Sequence, residues 1–307
     1  VNILKLVFFL LSFSVLAKPD FNKYPSSFVQ TKVSNNYIVL HKYSSTFTAT
    51  PYLFSVEKDG IVSFLFGTIH LGVYSVDLPS FVKDAIFESK YFASESGEST
   101  NEDEEDKDYR SWDKLTPKTQ AEFLKDSFFL ANSSKEALIK FVNSYPYEEL
   151  YIVALVISLF EFFNDEHVTL DNELQTIASF LDKPIYKLDQ DDLVDAHWKA
   201  LLHSYDVNKL FLHSTLSSLK NDFIETRSEY LTGKIEFAQD DTDMEMKARN
   251  VSWIPTLEQL HQKGGFFAAF GADHLGGKNG VIKLLENKGY KIKQVLTQQQ
   301  YTDLSNK

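Results

Sequence analysis

The chain contains no cysteine. Disulfides, thiolate metal sites, a cysteine nucleophile and a lipid-modified cysteine anchor are all excluded. Positive charge is also in short supply. Lys and Arg number 31 against 43 Asp and Glu, for a formal net charge of −12. That balance argues against nucleic acid or an anionic membrane surface as a partner. The strongest apolar runs, 6–16 and 150–160, are too short to form a stable membrane span. There is no His-Glu-x-x-His helix, no Gly-x-Ser-x-Gly elbow and no glycine-rich phosphate loop. Zinc-helix proteases, serine hydrolases and nucleotide binders lose their usual signatures.

What is present suits a globular chain: 307 residues, 43% hydrophobic and 24% charged, enough for one large domain or two small ones. Residues 1–17 read as a signal peptide. Lys5 precedes an apolar run, and Val15-Leu16-Ala17 offers a cleavage site. Cleavage near Ala17 would make the protein exported, periplasmic or secreted, and one charge unit more negative. Residues 18–307 are then treated as a single domain.

Tyr37-Ile38-Val39-Leu40 suits a first short strand. Residues 52–56 and 61–66 alternate around Asp59-Gly60, which predicts a β-hairpin. Its second strand runs into Gly67-Thr68-Ile69-His70. Pro79 is placed near the first position of a helix carrying Phe81, Val82, Ala85 and Ile86 on one face. A strand from Tyr91 ends at Glu95. The acidic run 98–108 lacks the glycine and oxygen spacing of a calcium loop and reads as solvated. Residues 111–163 are helical in pattern, with 150–160 as a buried helix. A helix over 171–181, a strand over 185–188 and mainly helical sequence over 191–262 follow. A strand over 266–270, a helix over 281–288 and a strand over 290–295 close the chain. The expected fold is α/β: a central mixed sheet, strand–helix–strand units at both ends, and a helical insertion over about 111–262.

One frame occurs twice. Phe66-Gly67-Thr68-Ile69-His70-Leu71-Gly72 and Phe270-Gly271-Ala272-Asp273-His274-Leu275-Gly276 agree at five of seven positions. Each leaves an apolar strand and leads through a loop to a helix. Ligands of α/β sheets bind outside the carboxyl ends of strands. A glycine there permits a sharp turn and close approach, and a histidine three residues on can project over the edge. Two such strands side by side would join both imidazoles, the beginning of a divalent-metal site. The competing reading makes both histidines buried turn residues bonded to backbone. Two histidines are too few for a metal centre, so Glu95 is the candidate third ligand or general base. Arg249 is a candidate substrate clamp or oxyanion donor, beside Asn250. Asp273 is a candidate to orient an imidazole or add a ligand. His41, His167, His197, His203, His213 and His261 lack the repeated setting and read as surface or core histidines.

At these residues the sequence resembles the TraB/GumN family. The matching features are Gly67-Thr68-Ile69-His70, Glu95, Asp171-Asn172-Glu173-Leu174 with Lys183-Pro184, Arg249-Asn250, Gly271-Ala272-Asp273-His274-Leu275 and Gly289-Tyr290. They occur in order between about residues 52 and 296. One departure is Leu188-Asp189-Gln190, where the family usually has Leu-Glu-Thr. The resemblance implies a fold like that of erythromycin esterases and ChaN-type proteins. It also implies a metal-dependent hydrolase, a peptidase acting on a peptide or protein, with His70, His274 and Glu95 central. Manganese, cobalt and zinc all suit such ligands. The alternative expectation is a protein that binds haem, metal or peptide in the same crevice without turnover.

Overall fold

The computed structural model describes residues 37–40, 52–70, 72–75, 78–96, 108–124, 134–159, 169–194, 206–233 and 244–297. The expected signal peptide, most of the acidic run, residues 160–163, and His41, His167, His197 and His203 lie outside the described residues.

Seven strands form one sheet: β1 (Tyr37–Leu40), β2 (Leu53–Lys58), β3 (Ile61–Thr68), β4 (Tyr91–Ser94), β5 (Ile185–Lys187), β6 (Phe266–Gly271) and β7 (Lys291–Thr297). Their spatial order is β1-β7-β2-β3-β6-β4-β5. Only β2 runs against its neighbours; every other pairing is parallel. The antiparallel step is the expected hairpin. Asp59 and Gly60 both take positive φ, 52° and 78°, as a two-residue primed turn requires. The sheet is thus mixed and the fold α/β.

Both faces of the sheet centre are covered, so β3 from Ser63 onward and all of β6 are buried. This explains why these strands read as continuous apolar runs rather than as alternation. Phe267 lies between Phe92, stacked at 5.9 Å, and Phe66 at 6.0 Å. Helix α1 (Ser80–Glu88) contributes Phe81, Val82, Ala85 and Ile86. Pro79 occupies its N-cap, one residue earlier than expected, with φ −55° and extended ψ.

Helices α2 (Ser111–Lys114), α3 (Pro117–Phe123), α4 (Lys135–Asn143) and α5 (Leu150–Leu159) follow β4. They build a second core around Trp112, Phe123, Val142, Leu150 and Phe211. Helix α6 (Leu170–Phe180) returns to the sheet and places Leu174 and Ala178 in the main core. Thr169 caps it by accepting from Asn172 N–H, which sets Asp171 in its first turn. After β5 come α7 (Val207–Leu210), α8 (His213–Thr232) and α9 (Met244–Gln262). The last helix is α10 (Val281–Glu286), two residues shorter than the pattern suggests, before Gly289 at φ 86°. Among the described residues no helix is long and apolar enough to cross a membrane.

Because Phe267 is fully buried between two rings, Phe267→Ala is expected to cost about 3–5 kcal/mol. Urea denaturation measures this, and a loss below about 1 kcal/mol would contradict close packing at the sheet centre.

Candidate active site

Parallel pairing of β3 with β6 sets Gly67 opposite Phe270 and Thr68 opposite Gly271. On the other side of β6, Ser94 of β4 stands opposite Ala269. Three neighbouring strands therefore end together, and the next few residues are His70, His274 and Glu95. The glycines make this closeness possible. A Cβ on Gly67 would lie 2.6 Å from Leu275 Cδ1 and 3.0 Å from Ala272 Cα. A Cβ on Gly271 would lie 3.1 Å from His70 Nε2 and 3.4 Å from Glu95 Oε1. One point beside Gly271 is thus shared by an imidazole nitrogen and a carboxylate oxygen.

Each imidazole is held from behind. His70 Nδ1 lies 2.7 Å from Asp171 Oδ2, while Thr68 Oγ1 donates to Asp171 Oδ1 at 2.8 Å. Asp171 sits in the first turn of α6, where the helix dipole favours its charge. His274 Nδ1 lies 2.5 Å from Asn250 Oδ1. The amide NH₂ of Asn250 donates to the Asn279 carbonyl at 3.0 Å, which turns its oxygen toward the ring. His274 is therefore the Nδ1–H tautomer when neutral, and its lone pair is on Nε2. That nitrogen is 3.9 Å from Glu95 Oε1. Trp253 packs on the His274 ring with centroids 4.4 Å apart.

Glu95 accepts from Gly271 N–H at 2.6 Å and from Arg249 Nη2 at 2.7 Å. Arg249 also grips Asp189, through Nε at 2.9 Å and Nη2 at 2.8 Å. The Asp189 side chain is wholly buried and accepts a third bond, from Trp253 Nε1 at 3.0 Å. One guanidinium thus compensates two enclosed carboxylates.

These contacts decide protonation. Burial pushes Glu95 upward, but His274, Arg249, His70 and the Gly271 N–H outweigh it and hold Glu95 at about 2. Burial pushes His70 downward, but the charge and hydrogen bond of Asp171, helped by Glu95, raise it to about 9. Solvent at its half-exposed edge tempers that rise. Burial raises Asp189 against the pull of Arg249, and Arg249 is raised because the charges of Glu95 and Asp189 outweigh its own burial.

A family model described as the TraB/PrgY/gumN family matches residues 52–294. The chain belongs to this family. No curated protein and no solved structure matches it.

His70, Glu95, Arg249, Asn250 and His274, the candidate site residues read from the sequence, lie together at this one place. Asp273 is an exposed residue whose carboxyl is raised, partial desolvation outweighing the opposing charge of His70. The side chains bonded to the two rings are instead Asp171 and Asn250. Sequence reasoning missed the chemical role of Asp171, Asp189 and Trp253. Asp171 was visible as the start of Asp171-Asn172-Glu173-Leu174, and Asp189 as the departure from the usual Leu-Glu-Thr. Nothing local marked Trp253. His261 is a core histidine, 2% exposed, bonded to Ser63 Oγ at 2.8 Å.

The donor types present suit a divalent ion: two imidazoles, each with Nδ1 fixed by an oxygen, and a carboxylate. Their spacing is not that of a closed centre. Among the described residues no group of three His, Cys, Asp or Glu side chains is arranged to hold a metal ion.

Two outcomes follow from the charges. Raising His70 from 6.5 to about 9 adds stability that is present below 6.5 and lost as pH rises through 9. Lowering Glu95 from 4.5 to about 2 adds stability present above 4.5 and lost as pH falls toward 2. Denaturation across pH should show both limbs, and Asp171→Asn should flatten the alkaline one. An unchanged alkaline limb in that variant would contradict the pairing. Arg249→Met leaves two enclosed carboxylates facing each other, with an expected loss of about 3–5 kcal/mol in the same measurement at neutral pH.

Proposed function

We propose that this protein is a hydrolase, with peptide or protein as its substrate, in which His274 and Glu95 activate water. The observation that supports this best is the 3.9 Å separation of His274 Nε2 and Glu95 Oε1, with the lone pair of Nε2 set by Asn250. One water can donate to both atoms through two hydrogen bonds of about 2.8 Å.

His274 Nε2 takes the proton as the water attacks the carbonyl carbon. Glu95 stays ionised, directs the water and stabilises the imidazolium that forms. Arg249 acts through Glu95, because its guanidinium is bonded to the two carboxylates. His70, raised by Asp171, keeps Nε2 at the same strand ends and stabilises the developing oxyanion from there. His274 then returns its proton to the leaving amine. The residues that would hold a divalent ion are His70, His274 and Glu95, and such an ion supplies Lewis acidity and lowers the pKa of bound water.

The test is metal analysis of the purified protein, followed by a peptide-library cleavage assay with and without added Mn²⁺, Co²⁺ or Zn²⁺. Glu95→Gln and His274→Ala are expected to lower turnover about 10²- to 10⁴-fold. If both variants and His70→Ala cleave as fast as the unaltered protein, the hydrolase site is elsewhere. Stoichiometric ion or peptide binding without turnover would favour the non-catalytic binding protein.

A further inference from the structure

The His70 turn is held by more than its own strand. His70 is one of four described non-glycine residues at positive φ, 61°, a conformation that side chains adopt only when surroundings impose it. In this turn its Nδ1 lies 2.7 Å from Asp171 Oδ2. Three carbonyls around it are individually bonded. Gly67 O accepts from Tyr230 Oη at 2.8 Å, His70 O from Leu170 N–H at 2.9 Å, and Gly72 O from Arg227 Nε at 2.5 Å.

Two of those three donors belong to α8. Phe223, Arg227 and Tyr230 recur at four and three residues, so they share one face of that helix. This face lies hard against the loop. A Cβ on Gly72 would be 2.9 Å from Arg227 Cδ and 3.4 Å from Phe223 Cε1. Tyr230 is 2% exposed, and its ring packs 5.1 Å from that of Tyr52, whose carbonyl receives Gly67 N–H. The helix also joins the two cores. Leu216 near its start packs in the second core, and Tyr230 near its end packs in the first.

We propose that α8 positions the site. Tyr230 and Arg227 clamp the backbone on either side of His70, keeping its left-handed turn and hence its imidazole on Asp171. Packing in the second core thereby reaches the sheet edge through one rigid helix. Tyr230 and Arg227 are positioning residues that act through His70, and their functional weight rests on the hydrolase reading above.

The test uses the full chain with ¹⁵N-labelled histidine. The Nδ1–H proton of His70, shifted downfield by its carboxylate partner, is assigned by its loss in His70→Gln. Tyr230→Phe and Arg227→Gln are each expected to move that resonance upfield and speed its exchange with solvent, and the double variant to do so further. Leu285→Ala, a cavity in the main core at a residue outside α8, is expected to lower Tm while leaving the resonance in place. An unchanged resonance in both α8 variants overturns the proposal. So does an equal shift in Leu285→Ala at matched loss of Tm. The readout needs neither substrate nor ion, so failure of the hydrolase reading and failure of the clamp are seen separately.

Discussion

The parallel pairing of β3 with β6 is the constraint on which the site depends. It joins segments about 200 residues apart and makes two copies of one frame into adjacent strand ends. Its register matters as much as its existence. With Thr68 opposite Gly271, both turns leave the sheet at the same level. A one-residue slip would exchange the faces of every side chain along the strand. In this register Phe66, Phe267 and Phe92 pack together on one face across the three strands.

On that scaffold the chemistry is governed by charge compensation. Taking a carboxylate out of water is expensive unless a partner replaces the lost hydration. Two carboxylates, Glu95 and Asp189, are enclosed here because Arg249 bonds both and the Gly271 and Trp253 N–H groups supply further donors. His70 and Asp171 form a second pair of the same kind nearby. The result is a lasting division of labour. Glu95 is held as an anion, His70 is favoured as a cation by Asp171, and His274 turns Nε2 toward Glu95 while Asn250 holds its Nδ1.

The segment between β4 and β6 serves both parts of the molecule. It builds the second core, yet it also supplies α6 and β5 to the sheet and Asp171, Asp189, Arg249 and Asn250 to the site. Helix α8 connects these duties, with one end in each core.

The sequence by itself determined the hairpin, because Asp59-Gly60 suits only a narrow set of turns, and the three strands that lead to His70, Glu95 and His274. It also pointed to His70, His274, Glu95, Arg249 and Asn250, which the structure brings together. Two histidines in one repeated frame are a local signal, and Glu95, Arg249 and Asn250 carried family spacing. Tertiary structure alone decided which groups hold them. Asp171, Asp189 and Trp253 act through contacts that span between 21 and 103 residues, with Trp253 beside His274 and Asp171 beside His70, and no period in a sequence encodes such a distance. The same holds for protonation. A histidine reads identically at 6.5 or 9 until an aspartate is seen beside it. Residue type sets what a side chain can do; burial and partners set which form it takes.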